Sequence, residues 1–408
     1  MSIVSAWLFA IGLLLTTCSL DKDTKKPLDY ELSDIPIPAT WGGEPNFAKN
    51  EQGELWLSWL EYLNDSLSAL QVVALKNGIP GDPIVVDTGS NWFVNWADFP
   101  SVAPFGTKGE MAAHWLQKSA EGTFDYDVRI AISTDDGKTW PTEFIPHNDG
   151  VAAEHGFVSL VPLPENQMFA VWLDGRHTKT EVDGNKGAMT LHAAIFDNEG
   201  EIREDYELDS RICDCCQTAA TLTDEGLVVA YRDRSETEVR DIYVVRQTES
   251  GWTEPVAVHE DNWLINGCPV NGPALDARGK KVALAWFTAA DGVPQVKLAL
   301  SGDAGKTFSA PIRLDEEVAL GRVDVSWVSD TEVWVSWTES GEQSGAIQLA
   351  RLNAAGEVLQ KGAVAKTDPS RKSGFPRLAA GRAGVYLAWT EITDEGLTKV
   401  RLAQVRVP

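Results

Sequence analysis

The sequence predicts an all-β fold: a seven-bladed β-propeller of four-stranded antiparallel blades, closed by an N-terminal strand on the last blade. Three observations predict it. An aromatic residue recurs at positions 59, 115, 172, 231, 286, 337 and 389, each in a short apolar run ending in a polar or acidic residue, and successive instances lie 51 to 59 residues apart. A near-constant period with strand-like segments inside each unit marks a repeat architecture whose units bury their apolar faces on one another. The runs are short, β-rich and bounded by Gly, Asp, Asn and Pro, and no stretch after residue 20 carries a long, capped helical period. The last repeat holds three strands where the others hold four, and residues 30–39 precede the first repeat and are free to supply the missing one.

The elements follow in order. First strands are expected to begin near Glu44, Asp98, His155, Cys215-Cys216, Cys268, Arg322 and Gly374-Phe375. Second strands carry Trp59, Trp115, Trp172, Tyr231, Trp286, Trp337 and Trp389. In the second repeat a third strand over 127–134 leads through the turn 135–140 to a short outer edge near 141–146. An open last blade would expose an unpaired edge, so residues 30–39 are expected to pair there as its outer strand.

The chain has 408 residues, and a propeller grows as one ring, so 30–408 reads as one domain. Lys and Arg number 35 against 60 Asp and Glu, a net charge of −25. That balance argues against nucleic acid or an anionic membrane surface as partner, since phosphates need a basic face. Residues 1–17 are uncharged and mostly apolar, and Leu15-Thr16-Thr17 precede Cys18. This predicts a signal peptide over 1–17, with Cys18 as the first mature, lipid-modified residue and 18–29 as a polar tether. The junction resembles a bacterial lipoprotein box. It implies export and an anchor in the cell envelope, by Ser19 in the outer membrane. A monomer is expected.

Ser133, Asp135, Gly137, Thr139 and Trp140 fit the pattern S-x-D-x-G-x-T-W, and Ser301, Asp303, Gly305, Thr307 and Phe308 fit it with Phe last. These segments resemble the Asp boxes, or BNR repeats, of the sialidase superfamily. The local physics is a turn in which Asp accepts backbone N–H bonds, Gly takes a left-handed conformation and the aromatic packs back. The resemblance covers roughly residues 40–408 and implies a propeller and glycan chemistry. Sialidases are typically six-bladed, whereas seven repeats are counted here. Their Arg-Ile-Pro signature is absent, and the first repeat opens with Gly43, Glu44, Pro45 and Asn46. Their arginine clamp and Tyr/Glu nucleophile pair therefore have no matching positions here.

Strand direction places the starts of first strands and the ends of second strands on one face, opposite the Asp boxes. That face collects Asp98, Glu154, Asp174 and Asp233 as candidate acids, with Arg176, Arg232, Arg234, Trp96 and Asn271 as candidate contacts for an acidic sugar. A structural reading competes, in which Arg232, Asp233 and Arg234 form an ion-pair network with Glu236, Glu238, Arg240 and Asp241. Four cysteines, Cys213, Cys215, Cys216 and Cys268, fall on neighbouring first strands, with His155 one blade earlier. Disulfides, a Cu or Zn site and a reactive thiolate remain open.

Three functions therefore stand. One is a sialidase-like propeller that binds or hydrolyses a glycan, an exo-sialidase-like glycoside hydrolase if it is an enzyme. Another is a metal- or redox-handling envelope protein using the Cys/His cluster. The last is a protein-interaction scaffold.

Overall fold

The computed structural model describes residues 30–182, 185–341 and 344–407. The expected signal peptide, Cys18 and tether lie outside them. Among the described residues the chain forms seven mostly four-stranded antiparallel sheets around one axis. Blade 2, for example, runs Ser101–Pro104, Met111–Lys118, Tyr126–Ser133 and Thr142–Phe144 from the axis outward. Blade 3 runs His155–Leu163, Gln167–Asp174, Thr190–Asp197 and Ile202–Asp209. Glu31–Asp34 pairs with the last strand, Thr398–Arg406, in the register Glu31 to Arg406 and Asp34 to Ala403. The final blade is thus completed by the N-terminal strand, as its free edge requires.

The seven recurring aromatic residues sit in second strands and are all buried, none more than 4% exposed. They fill the wedges between blades. A buried indole N–H needs an acceptor, and the acid two residues downstream supplies it in three blades: Trp59 to Glu61 at 3.0 Å, Trp172 to Asp174 at 2.8 Å and Trp337 to Glu339 at 2.7 Å. Trp286 donates to Asp261 at 2.7 Å and the Tyr231 hydroxyl to Asp209 at 2.6 Å. In the blades of Trp59, Trp172 and Trp337 the acid that closes the repeat run is therefore the partner of the repeat's own aromatic.

The Asp boxes share one geometry. The Gly137 N–H donates to the Ser133 hydroxyl and the Thr139 N–H to Asp135, each at 2.9 Å. Gly305 to Ser301 and Thr307 to Asp303 repeat both distances. The left-handed turn takes two residues, Asp136 with Gly137 and Ala304 with Gly305. Gly137 lies against Met111, at the start of a second strand, so this box occupies the face opposite the second-strand ends.

First strands carry bulges near their starts, where Glu44, Phe157 and Arg322 adopt φ near 55°. Such a conformation costs about 1–3 kcal/mol unless its surroundings fix it. A side chain from the preceding blade fixes each one. Phe157 N–H donates to Asp98 at 2.7 Å, Arg322 N–H to Asn271 at 2.8 Å and Glu44 N–H to Thr390 at 3.3 Å. The first strands surround an axial cavity of about 290 Å³ whose lining includes Lys49, Asp98, Gln217, Asp276, Asp324 and Arg377. Lys49 and Asp276 face each other across it at 3.9 Å.

Candidate functional site

The rim predicted from strand direction contains three separate groups of ionisable side chains. The first is the thiol cluster. Cys213 to Cys216 were expected in an extended first strand, but the first strands of blades 4 and 5 begin at Ala219 and Ala274. Residues 213–216 instead form a turn. An extended strand would send Cys215 and Cys216 to opposite faces; a turn curls their sulfurs inward. Cys213 Sγ lies 3.8 Å from Cys215 Sγ and 3.6 Å from Cys216 Sγ. Cys268, from the loop before blade 5, brings its sulfur within 4.8 Å of Cys215 Sγ and an Asp214 oxygen. All four are free thiols; Cys213 and Cys216 are buried, Cys215 is half-buried and Cys268 is exposed.

Arg240 is the cationic wall of this cluster. Its guanidinium donates to Cys213 Sγ at 3.2 Å and to Glu238 at 2.8 Å, and stands 3.3 Å from Asp214. The hydrogen-bonded contacts with Cys215 and Cys216, aided by the charges of Arg240 and Arg232, hold the Cys213 thiol well below its ordinary range despite burial. A thiolate is the form that binds metal or attacks an electrophile. Cys216 is pushed up, first by burial.

The second group centres on Tyr126, the first residue of the third strand of blade 2. Its hydroxyl stands 3.1 Å from Asp98 and 3.0 Å from Glu154. One phenol proton is shared between two carboxyl groups, an arrangement that favours a proton on one of them. Burial pushes Asp98 up to about 7 and Glu154 up to about 8. Glu154 also feels the charges of Asp98, Asp214 and Cys268, so this group borders the thiols.

The third group is a buried His/Asp network. His155 was expected beside the cysteines, but its ring turns away from them: among the described residues no potential metal-ligand group holds both His155 and a sulfur. His155 stacks on His147 with ring centroids 3.7 Å apart. Its Nε2 lies 3.1 Å from Asp149 and 3.5 Å from Asp174, and its Nδ1 reaches the Tyr126 carbonyl at 3.2 Å. Burial disfavours charge on His155, but the two carboxylates outweigh it and raise its pKa. Burial and the neighbouring His155 lower His147 to about 3. Burial would raise Asp174, yet bonds to Arg176 and His155 hold it well below the carboxylate range.

The remaining predicted residues divide between rim and framework. Arg176 binds Asp174 at 2.6 Å. Arg232 is buried, and its guanidinium donates to the carbonyls of Arg240, Asn271 and Phe287 beneath Trp263. Arg234 pairs with Glu238 at 2.7 Å, so Arg234, Glu238 and Arg240 do form a network. Asp233, beside Asp209 and Asp241, is raised to about 7, mainly by burial. Asn271 is the bulge partner of Arg322. Trp96 stacks on Phe375 at 5.6 Å, with Arg322 and Arg371 at its face, while the Ala97 carbonyl accepts from Gln217 at 2.6 Å. The segment carrying Trp96 thereby ties blades 4, 6 and 7 together.

Sequence reasoning missed Tyr126, His147 and Asp149. His147 and Asp149 follow the outer strand of blade 2, a place no repeat pattern marks. The only available signal was the concentration of four of the six histidines, at positions 147, 155, 177 and 192, in about one repeat.

Comparison with known proteins bears on the fold. No protein-family model matches the chain, and no curated protein matches it. Solved structures do. A protein of unknown function from Dyadobacter fermentans is 14% identical with a TM-score of 0.52, covering 94% of this chain and 99% of that one. The polysaccharide lyase Uly1 is 9% identical with a TM-score of 0.54, covering 95% and 94%. The phage phi92 endosialidase is 9% identical with a TM-score of 0.52, covering 93% and 70%. The chain therefore has a divergent β-propeller fold similar to those of sialidase and lyase structures.

Proposed function

We propose that this is an exported propeller protein that binds a soft metal ion, Cu(I) or Zn(II), through Cys213, Cys215, Cys216 and Cys268. The observation that carries the reading is the sulfur spacing. Thiolates about 2.3 Å from a tetrahedral ion lie about 3.8 Å from one another. The observed separations are 3.6 and 3.8 Å, too long for a disulfide and close to a shared ion. Arg240 favours the thiolate form that ligation needs, and such soft donors select Cu(I) and Zn(II). The site is asymmetric: the three sulfurs of the turn lie together, and Cys268, which groups with Cys215 and Asp214, closes onto the ion from the exposed loop of the next blade.

The test is elemental analysis with thiol titration of the untagged mature chain, purified without chelator. At least one equivalent of copper or zinc is expected, with the four thiols titrating only after the metal is removed. Cys213→Ser should lose one equivalent, while Ser309→Ala, beside an Asp box, should keep it. Metal-free protein with two oxidised cysteine pairs would overturn the reading.

A second reading, glycan binding or hydrolysis at the same rim, has one specific support. Glu154 and Asp98 flank Tyr126 with pKa values raised toward neutrality, which suits a proton donor. The fold shared with a polysaccharide lyase and an endosialidase is compatible with it. Arg176 and Arg234 would have to exchange their carboxylate partners for a sugar acid. A soak with an acidic oligosaccharide tests it: density at Arg176 or Arg234 supports the reading, and binding untouched by Arg234→Ala counts against it.

A further inference from the structure

Blade 3 carries a second constellation of metal-ligating side chains. His177 lies in the short turn Arg176–Lys179 that follows the second strand. His192 is on the third strand and Glu207 on the fourth. His192 and Glu207 are direct cross-strand partners, and the register shifts between Leu191 and His192. A bulge at that point sets the direction of the side chains beside it. Both imidazole Nε2 atoms converge on one carboxylate oxygen: His192 at 3.2 Å and His177 at 3.4 Å from Glu207 Oε2.

We infer that His177, His192 and Glu207 form a second site, for a borderline divalent cation such as Zn(II), independent of the thiols. Imidazole and carboxylate atoms about 2.1 Å from a shared ion lie about 3.0 Å apart at right angles and about 3.4 Å apart in a tetrahedron. The two observed separations fall inside that interval. Three protein ligands leave a coordination position for water, since His177 and Glu207 are 47% and 41% exposed and His192 closes the inner side. Two nitrogens and an oxygen suit zinc better than Cu(I). The charge of Arg176 reaches His192, and Asp174 and Asp149 neutralise it at 2.6 and 3.5 Å.

Cobalt(II) distinguishes the two sites, because thiolate ligation gives intense near-ultraviolet charge-transfer bands and nitrogen–oxygen ligation gives only weak visible bands. Titration of the reduced full chain should show both sets of bands. Cys213→Ser should keep the weak visible set, and His177→Ala or Glu207→Gln should lose that set while keeping the sulfur bands. His177 is exposed, so its removal leaves the core intact. Zinc calorimetry on the same variants should lose one binding step in His177→Ala. Identical titrations for the wild type, His177→Ala and Glu207→Gln would overturn the site. Absence of the sulfur bands from the wild type, with the weak visible set present, would overturn the thiol reading and leave this one standing.

Discussion

Asp98 offers the sharpest test of how the ring is held together. It is 2% exposed, accepts the Phe157 N–H at 2.7 Å and meets the Tyr126 hydroxyl at 3.1 Å. Burial raises its pKa from 3.8 to about 7. An acid with a higher pKa in the folded state binds more protons there than in the unfolded chain between those two values. Its contribution is fully present below about pH 4 and is lost as pH rises through about 7. The displacement corresponds to on the order of 4 kcal/mol. Asp98→Asn fixes the neutral form: its oxygen still accepts from Phe157, and its amide donates to the Tyr126 oxygen, whose proton then serves Glu154. Urea unfolding of both proteins at several pH values from 4 to 8 cancels the titrations the two share and leaves that of Asp98 with its coupled neighbour Glu154. The stability of the variant relative to wild type should rise by on the order of 4 kcal/mol across that range. Parallel profiles, or a variant that loses ground toward pH 8, would refute the assignment of Asp98 as a buried, protonated bulge cap.

Other expectations follow from the same structure. Arg232→Met removes a guanidinium that serves three buried carbonyls, and should cost about 3–5 kcal/mol in chemical denaturation; a loss below about 1 kcal/mol would show those carbonyls are otherwise satisfied. Deleting residues 30–36 removes the outer strand of blade 7 and bares the edge of Thr398–Arg406. Light scattering should then report association or aggregation; a monomer of unchanged thermal midpoint would contradict strand closure.

The ring was legible because its causes are periodic. A large aromatic every 51 to 59 residues needs a wedge to fill, and each wedge implies a blade. The Asp boxes were legible because a turn's bonds are local: Ser133, Asp135, Gly137 and Thr139 make theirs within seven residues. The incomplete last blade pointed to residues 30–39 for the same reason, a free edge.

The site was less legible because its causes are not periodic. The Cys213–Cys216 turn interrupts the alternation that a first strand would show, so side-chain direction came out wrong there. His155 was placed in the correct ring position, but its ring direction depends on Asp149 and His147, which lie outside the repeat pattern. Arg232 reads as a surface charge in the string Arg232, Asp233, Arg234, although it is buried under Trp263, because three carbonyls from blades 4 and 5 converge only after the ring closes. Asp98 and Asn271 looked like mouth residues and occupy that face, yet the bonds they make hold the bulges of the next blade.

X-ray absorption at the metal edge of the copper- or zinc-loaded chain probes the sulfur-bearing turn most directly. The account predicts a first shell of sulfur at about 2.3 Å, contributed by the turn at 213–216 and Cys268, and its loss in Cys213→Ser. A shell of only nitrogen and oxygen in the wild type, or a fully loaded spectrum unchanged in Cys213→Ser, would contradict it.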